Sequence, residues 1–142
     1  MKTIFVNEQE AVRNWYVIDA AGKPLGRVAA KAAAVVRGKN KASFTPNQEM
    51  GDFVVIINAE KVAVTGNKFL GKMYYHHTGH VGGLKARTFE KTLERDGTAP
   101  LREAIKGMIP HNRLGRKLMG NVKIYAGAEH PHTAQNPQPL EV

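Results

Sequence analysis

Five lysines and arginines lie in residues 105–127, and no aspartate or glutamate accompanies them. Basic side chains without carboxylates nearby are typical of proteins that bind a polyanion such as nucleic acid. The stretch could instead only complete the core, through apolar residues such as Ile105 and Val122. That reading leaves its charges unexplained, because basic residues on loops do not stabilise a core. The five are Lys106, Arg113, Arg116, Lys117 and Lys123.

The run at residues 74–80 places three histidines beside two tyrosines. Three imidazoles could bind zinc, but such ligands usually accompany a thiol or a carboxylate, and this window has neither. Surface histidines packed in a loop are the simplest interpretation. An RNA interface explains more, because the rings can stack on bases while Lys72 and Lys85 reach phosphates. The predicted RNA contacts of this run are Tyr75, His76, His77 and His80.

Positive charge is also segregated along the whole chain. The net charge is +9, and 16 of the 21 lysines and arginines fall in three windows without an acid, residues 20–48, 61–89 and 104–128. A surface that only keeps a protein soluble mixes the two signs. We therefore predict that cations of these windows clamp RNA phosphates. The remaining candidates are Lys23, Arg27, Lys31, Arg37, Lys39, Lys41, Lys68 and Lys72.

Composition restricts the class of protein. A chain of 142 residues, 42% of them hydrophobic, is expected to fold as one domain with a core. It has no cysteine, which excludes disulfides and thiolate metal sites. Its apolar runs are shorter than the roughly 20 residues of a membrane-spanning helix. The Met1 end carries Glu8 and Glu10 and lacks an apolar signal core, so we expect a cytoplasmic protein.

The order of predicted elements indicates an α/β layered domain. Residues 15–20 and 53–57 read as strands, the second of them central in a parallel sheet. A helix is predicted over residues 25–37 with Gly38 as its C-cap. Further helical patterns occupy residues 88–95, 100–109 and the basic piece after Pro110, followed by a strand at 122–126. We expect residues 1–14 to form an arm and residues 128–142 an extended tail of this single domain.

Two other functions stay open from the residues alone. In an α/β enzyme, the strand-to-helix turn at residues 22–27 would hold a nucleotide phosphate and a histidine would act as base. The turn lacks a Gly-Lys-Ser/Thr sequence, and an ordinary turn explains it equally well. Asp19 and Asp52 are explained more simply by caps or ion pairs than by catalysis, and Ser43 has no obvious base. The third possibility is a DNA-binding architectural protein, although no helix-turn-helix or basic zipper is visible.

Several blocks in order along residues 15–142 resemble one universal family. They are Trp-Tyr-Val-Ile-Asp-Ala at 15–20, Gly-Lys-Pro-Leu-Gly-Arg at 22–27, Gly-Asp at 51–52 before Val-Val-Ile-Ile-Asn-Ala, and Tyr-Tyr-His-His-Thr-Gly-His at 74–80. Lys-Gly-Met-Ile-Pro at 106–110, Val-Lys-Ile-Tyr-Ala-Gly at 122–127 and Glu-His-Pro-His at 129–132 continue the series. Together they are similar to the large-subunit ribosomal protein family conventionally numbered thirteen, in its bacterial form.

The resemblance implies a structural protein of the large ribosomal subunit. Such a protein binds the large ribosomal RNA, adjoins neighbouring ribosomal proteins and acts in early subunit assembly. The implied fold is a three-layer α/β/α sandwich on a small, mostly parallel sheet of about four strands, with extended basic loops and tail. The family has no known catalytic residue. We therefore expect no enzymatic activity, metal, cofactor, small-molecule substrate or membrane partner.

Overall fold

The computed structural model describes residues 5–142, so residues 1–4 of the predicted arm lie outside the described part. One parallel sheet has the strand order β5-β2-β1-β6. Its strands are β1 (Trp15–Asp19), β2 (Phe53–Ile57), β5 (Val122–Ile124) and β6 (Gln138–Pro139). An antiparallel hairpin pairs β3 (Met73–His77) with β4 (Leu84–Thr88). The helices are α1 (Leu25–Arg37), α2 (Lys68–Gly71), α3 (Phe89–Arg95), α4 (Ala99–Met108) and α5 (Arg113–Met119).

The core lies between the sheet and helix α1. Strands β1 and β2 pair in register from Trp15↔Phe53 to Asp19↔Ile57, and the partners Ile18 and Ile56 are both fully buried. Helix α1 meets them with a stripe of valines and alanines, so its backbone can lie close to the strands. Helix α4 then packs on α1 and contributes Leu101 and Ile105 to the same core cluster. The predicted α/β class and small parallel sheet are confirmed.

The end of α1 determines how the chain returns to the sheet. Gly38 adopts a left-handed conformation (φ 80°) and donates its N–H to the carbonyls of Ala34 and Val35. This is the predicted glycine C-cap. The chain then passes directly against α1 at Gly51, where a Cβ atom would lie 1.6 Å from the carbonyl oxygen of Val36. Only glycine fits there, so the loop that follows α1 is held against the end of the helix.

One feature differs from the sequence-based expectation. The run at residues 74–80, which the sequence predicts to be a loop, is mostly strand β3 of the hairpin. Gly79 and Gly82 have φ values of 87° and 70°, which let the chain reverse between β3 and β4. The tail expected to be extended lies along the sheet, where β6 pairs with β1 and the Leu140 N–H donates to the Val17 carbonyl at 2.9 Å.

No helix within residues 5–142 combines the length and apolar character needed to cross a membrane.

Candidate nucleic-acid interface

Helix α4 stands where four surface clefts meet. Pro100, Leu101 and Ile105 bury one side of this helix. The α4 residues that line the clefts are Ala99, Glu103, Ala104, Lys106 and Met108. Each of the three acid-free windows of the sequence contributes to at least one cleft. Cations that lie far apart along the chain are therefore gathered around one helix. The candidate cations that line the clefts are Arg37, Lys39, Lys68, Lys72, Lys106 and Arg116.

The first cleft, the hairpin cleft, separates the β3–β4 hairpin from α3 and α4. It encloses about 470 Å³, and its wall combines the rings of Tyr74, Tyr75 and His76 with four cations and one carboxylate, Glu103. The cations are Lys85, Arg87, Arg95 and Lys106. Of these four, the sequence predicts Lys106 as a site residue and Lys85 as a cation that can reach phosphates, whereas Arg87 and Arg95 are missed. Lys85 and Arg87 lay in an acid-free window, and recognising β4 as a strand would have placed them beside the tyrosines.

Tyr74 lines the hairpin cleft and carries a hydroxyl group that makes no hydrogen bond within residues 5–142. Its hydroxyl oxygen is buried. Burial, and secondarily the Glu103 carboxylate, raises the pKa of this phenol. The hydroxyl therefore stays protonated at neutral pH. The Lys72 ammonium group lies 5.3 Å from the centre of the same ring, a cation–π distance.

The second cleft, the α4–α5 cleft, lies below the C-terminal end of α4. It encloses about 520 Å³, and Lys106 lines both it and the hairpin cleft. Arg116 and His111 add positive or titratable groups at its edge, and no carboxylate lines it. Lys106 therefore lies between the two clefts, and Glu103 is the one carboxylate among the described residues that line them.

The other two clefts lie between α4 and α1. Lys68 and Lys72 line one of about 340 Å³ at the start of α1, and Arg37 and Lys39 line one of about 170 Å³ at its end. Met108 of α4 lines both, so these cations share the helix that carries Lys106. Arg27 precedes Ala30, a lining residue, by three positions on α1, which places it beside this surface.

Two lysines that were predicted to bind phosphate instead form ion pairs with carboxylates of the same chain. Lys41 pairs with the buried Asp52 at 2.6 Å. Lys117 pairs with Glu49 at 2.8 Å and with Glu8, and those carboxylates raise the pKa of Lys117. We therefore remove Lys41 and Lys117 from the candidate interface. Within residues 5–142, none of the other candidate lysines and arginines forms an ion pair.

Some predicted residues lie away from the clefts around α4. Lys123 is on β5 beside the tail, where its charge contributes to lowering the pKa of His132. His77 and His80 are exposed at the far end of the hairpin, and His77 Nδ1 accepts the Gly79 N–H at 3.0 Å. No group of three or more metal-ligating side chains is found within residues 5–142. Lys23, Lys31 and Arg113 also line none of the four clefts.

The turn at residues 22–27 is not shaped as a phosphate site. Gly22 N–H and Leu25 N–H donate to carbonyls of the 61–63 segment at 2.9 and 3.0 Å. The Asp19 carboxylate is also engaged in internal hydrogen bonds, because it accepts the Ala21 N–H and the Asn58 side-chain N–H. These hydrogen bonds lower the pKa of Asp19. An ordinary strand-to-helix turn therefore accounts for this part of the chain.

The fold and its surface define a small basic α/β protein of the polyanion-binding class. The sequence model of the family described as "Ribosomal protein L13" matches residues 13–131. The chain belongs to this ribosomal protein family, and the resemblance inferred from its sequence blocks is confirmed.

Relatives match along their full length. The chain is 66% identical over 142 residues to "Large ribosomal subunit protein uL13" of Treponema denticola, with all of both chains covered. It is 64% identical over 140 residues to the protein of the same name in Treponema pallidum (strain Nichols), with 99% of each chain covered. The corresponding protein of Symbiobacterium thermophilum is 57% identical over 141 residues, with 99% of each covered.

Proposed function

We propose that this chain is a structural constituent of the large ribosomal subunit. It binds the large ribosomal RNA with the surface around α4 and acts in early subunit assembly in the cytoplasm. Neighbouring ribosomal proteins of the same subunit are its second class of partner. The proposal includes no enzymatic step, since Asp19 and Asp52 are held in internal hydrogen bonds and an ion pair.

The observation that carries the RNA-binding part is the convergence of three acid-free windows on one helix. A protein that needed its lysines only for solubility would have no reason to gather them around four adjoining clefts. RNA in the A form hides its base edges in a deep groove, so the protein reads shape and backbone there. Cations spread over a concave surface suit that kind of recognition.

The test is the salt dependence of binding to large-subunit ribosomal RNA. If about six phosphates are neutralised, the association constant should fall roughly a thousandfold between 50 and 200 mM salt. Replacing Lys106 with glutamine should lower the slope of log K against log salt by about one. Lys61→Gln removes the same charge from an exposed position that lines none of the clefts, and should leave the slope unchanged.

A second measurement addresses the cellular assignment. In a sedimented cell lysate, the chain should travel with large subunits. If it stays at the top of the gradient, the ribosomal assignment fails, whatever the RNA-binding result. A salt-independent association constant would overturn the electrostatic interface. Preference for duplex DNA over structured ribosomal RNA would support the architectural alternative.

A further inference from the structure

The α4–α5 cleft has an apolar floor at the edge of the hydrophobic core, where Ile109 is buried and Met119 packs against the core cluster. Ile109, Pro110 and Met119 line it together with Lys106 and Arg116. Its shape depends on close backbone packing, because a Cβ on Gly115 would lie 1.7 Å from the Pro110 carbonyl oxygen. Helix α5 is thus pressed against the turn that ends α4, and the opening of about 520 Å³ remains beside that contact.

The cleft's chemistry fits a nucleobase better than a bare phosphate. Ligand clefts of this size are usually apolar with a few polar groups that fix orientation. A base has two apolar faces, and these can stack on a guanidinium plane or an imidazole such as those of Arg116 and His111. A phosphate alone would gain nothing from the floor formed by Pro110 and Met119.

Asn112 adds a directional donor at this edge. Its Oδ1 accepts the Gly115 N–H at 2.7 Å as the N-cap of α5, so its side-chain nitrogen must point elsewhere. That nitrogen donates to no group within residues 5–142. An exposed NH₂ beside an apolar cleft can donate to a ring nitrogen or carbonyl on the edge of a base.

We infer that the α4–α5 cleft binds one unstacked nucleobase of the RNA. Lys106 holds the adjoining phosphate, Asn112 donates to the base edge, and Arg116 covers one face. The inference rests on the proposed function and deepens it. Charge favours a nucleotide over a protein side chain, because cations and no carboxylates surround the cleft. Since Lys106 also lines the hairpin cleft, a backbone bound there leads directly to this cleft.

Methionine methyl groups provide matched reporters for an NMR titration of the full chain. Met119 lines the α4–α5 cleft, whereas Met108 lines only the clefts beside α1. The four ribonucleoside 5′-monophosphates should shift the Met119 methyl resonance saturably, and ribose 5-phosphate and inorganic phosphate should not. The Met108 resonance should respond no more to the monophosphates than to ribose 5-phosphate, because the clefts beside α1 are expected to bind phosphate alone. A single-stranded oligoribonucleotide of mixed sequence should shift Met119 at lower concentration.

The variant Asn112→Ser separates base recognition from folding. Serine is also a good N-cap, so α5 keeps its start while the NH₂ donor is lost. Monophosphate affinity should fall about two- to tenfold, the value of one hydrogen bond. An unchanged affinity, or equal shifts of Met119 with ribose 5-phosphate, would overturn the base site.

Failure of this inference can be told apart from failure of the proposed function. If ribosomal RNA binds with the expected salt slope but leaves the Met119 resonance unmoved, the interface stands and the base site is wrong. If no salt-dependent RNA binding occurs at all, the proposed function itself fails.

Discussion

The ammonium group of Lys41 lies 2.6 Å from a carboxylate oxygen of Asp52, whose side chain is fully buried at the start of β2. Lys41 also donates to the carbonyls of Val12 and Met50, at 2.7 and 3.0 Å. Asp52 in turn accepts the Asn14 N–H at 2.9 Å. One lysine and one aspartate thus join the N-terminal arm, the loop after α1 and the central sheet.

Lys41→Met is expected to destabilise the fold. The change leaves the buried Asp52 charge without its partner, which typically costs about 3–5 kcal/mol. Lys39→Met is the matched control, because Lys39 is exposed and unpaired among the described residues. Its free energy of unfolding should change by less than about 0.5 kcal/mol. Urea denaturation measures both values, and equal losses would contradict the structural role of Lys41.

Gly51→Ala should destabilise the fold strongly, although it adds only one methyl group. The new methyl group would lie 1.6 Å from the Val36 carbonyl oxygen, so helix α1 or the loop must move. We expect a loss of about 3 kcal/mol or more in the free energy of unfolding. Gly26→Ala is the control, since open space surrounds that position within α1. It should stabilise the chain by roughly 0.5–1 kcal/mol. Similar melting temperatures for the two variants would contradict the close packing at Gly51.

Local signals explain which elements the sequence could predict. Helix α1 begins at Leu25 and ends at Arg37 as predicted, because its apolar stripe and Gly38 cap are encoded within its own residues. Strand β2 was equally clear, since a continuous apolar run marks a buried strand. The hairpin was missed because four of the five residues of β3 are exposed, and an exposed strand carries no apolar alternation.

The sequence predicted the kind of binding site but not which residues form it. Composition and charge windows indicated a nucleic-acid partner, and basic residues were named in every window. Lys39 and Lys41 look alike in sequence, two positions apart in one loop. Only the fold shows that Lys41 meets a buried carboxylate, contributed by a residue eleven positions later. The convergence on α4 likewise depends on tertiary packing that no local pattern records.

Arg87→Gln should weaken RNA binding without affecting stability. Arg87 is exposed on β4 and lines the hairpin cleft, so its loss removes a cation and leaves no buried partner. The slope of log K against log salt should fall by about one. Lys61→Gln is the control, and urea denaturation should find both variants as stable as the parent. An unchanged slope for Arg87→Gln would exclude the hairpin cleft from the interface.

Because of His132, the free energy of unfolding should decrease on mild acidification. Its ring lies 5.1 Å from that of Trp15, and its Nε2 lies 2.8 Å from the Tyr125 hydroxyl. Burial, and then the charges of His130 and Lys123, lower the pKa of His132 in the folded chain. In the unfolded chain it titrates near its ordinary value of about 6.5.

The sign of the effect follows from proton binding. Below about pH 6.5 the unfolded chain binds a proton at His132, whereas the folded chain does not yet bind one there. The free energy of unfolding therefore decreases as the pH falls from about 7.5 to about 5.5, a range in which carboxylates stay ionised. His132→Phe keeps an aromatic ring against Trp15 and should reduce that decrease. His80→Phe, at an exposed position of the hairpin, should leave it unchanged. Urea denaturation at the two pH values measures the difference, and parallel losses in parent and His132→Phe would show that His132 is not the titrating group.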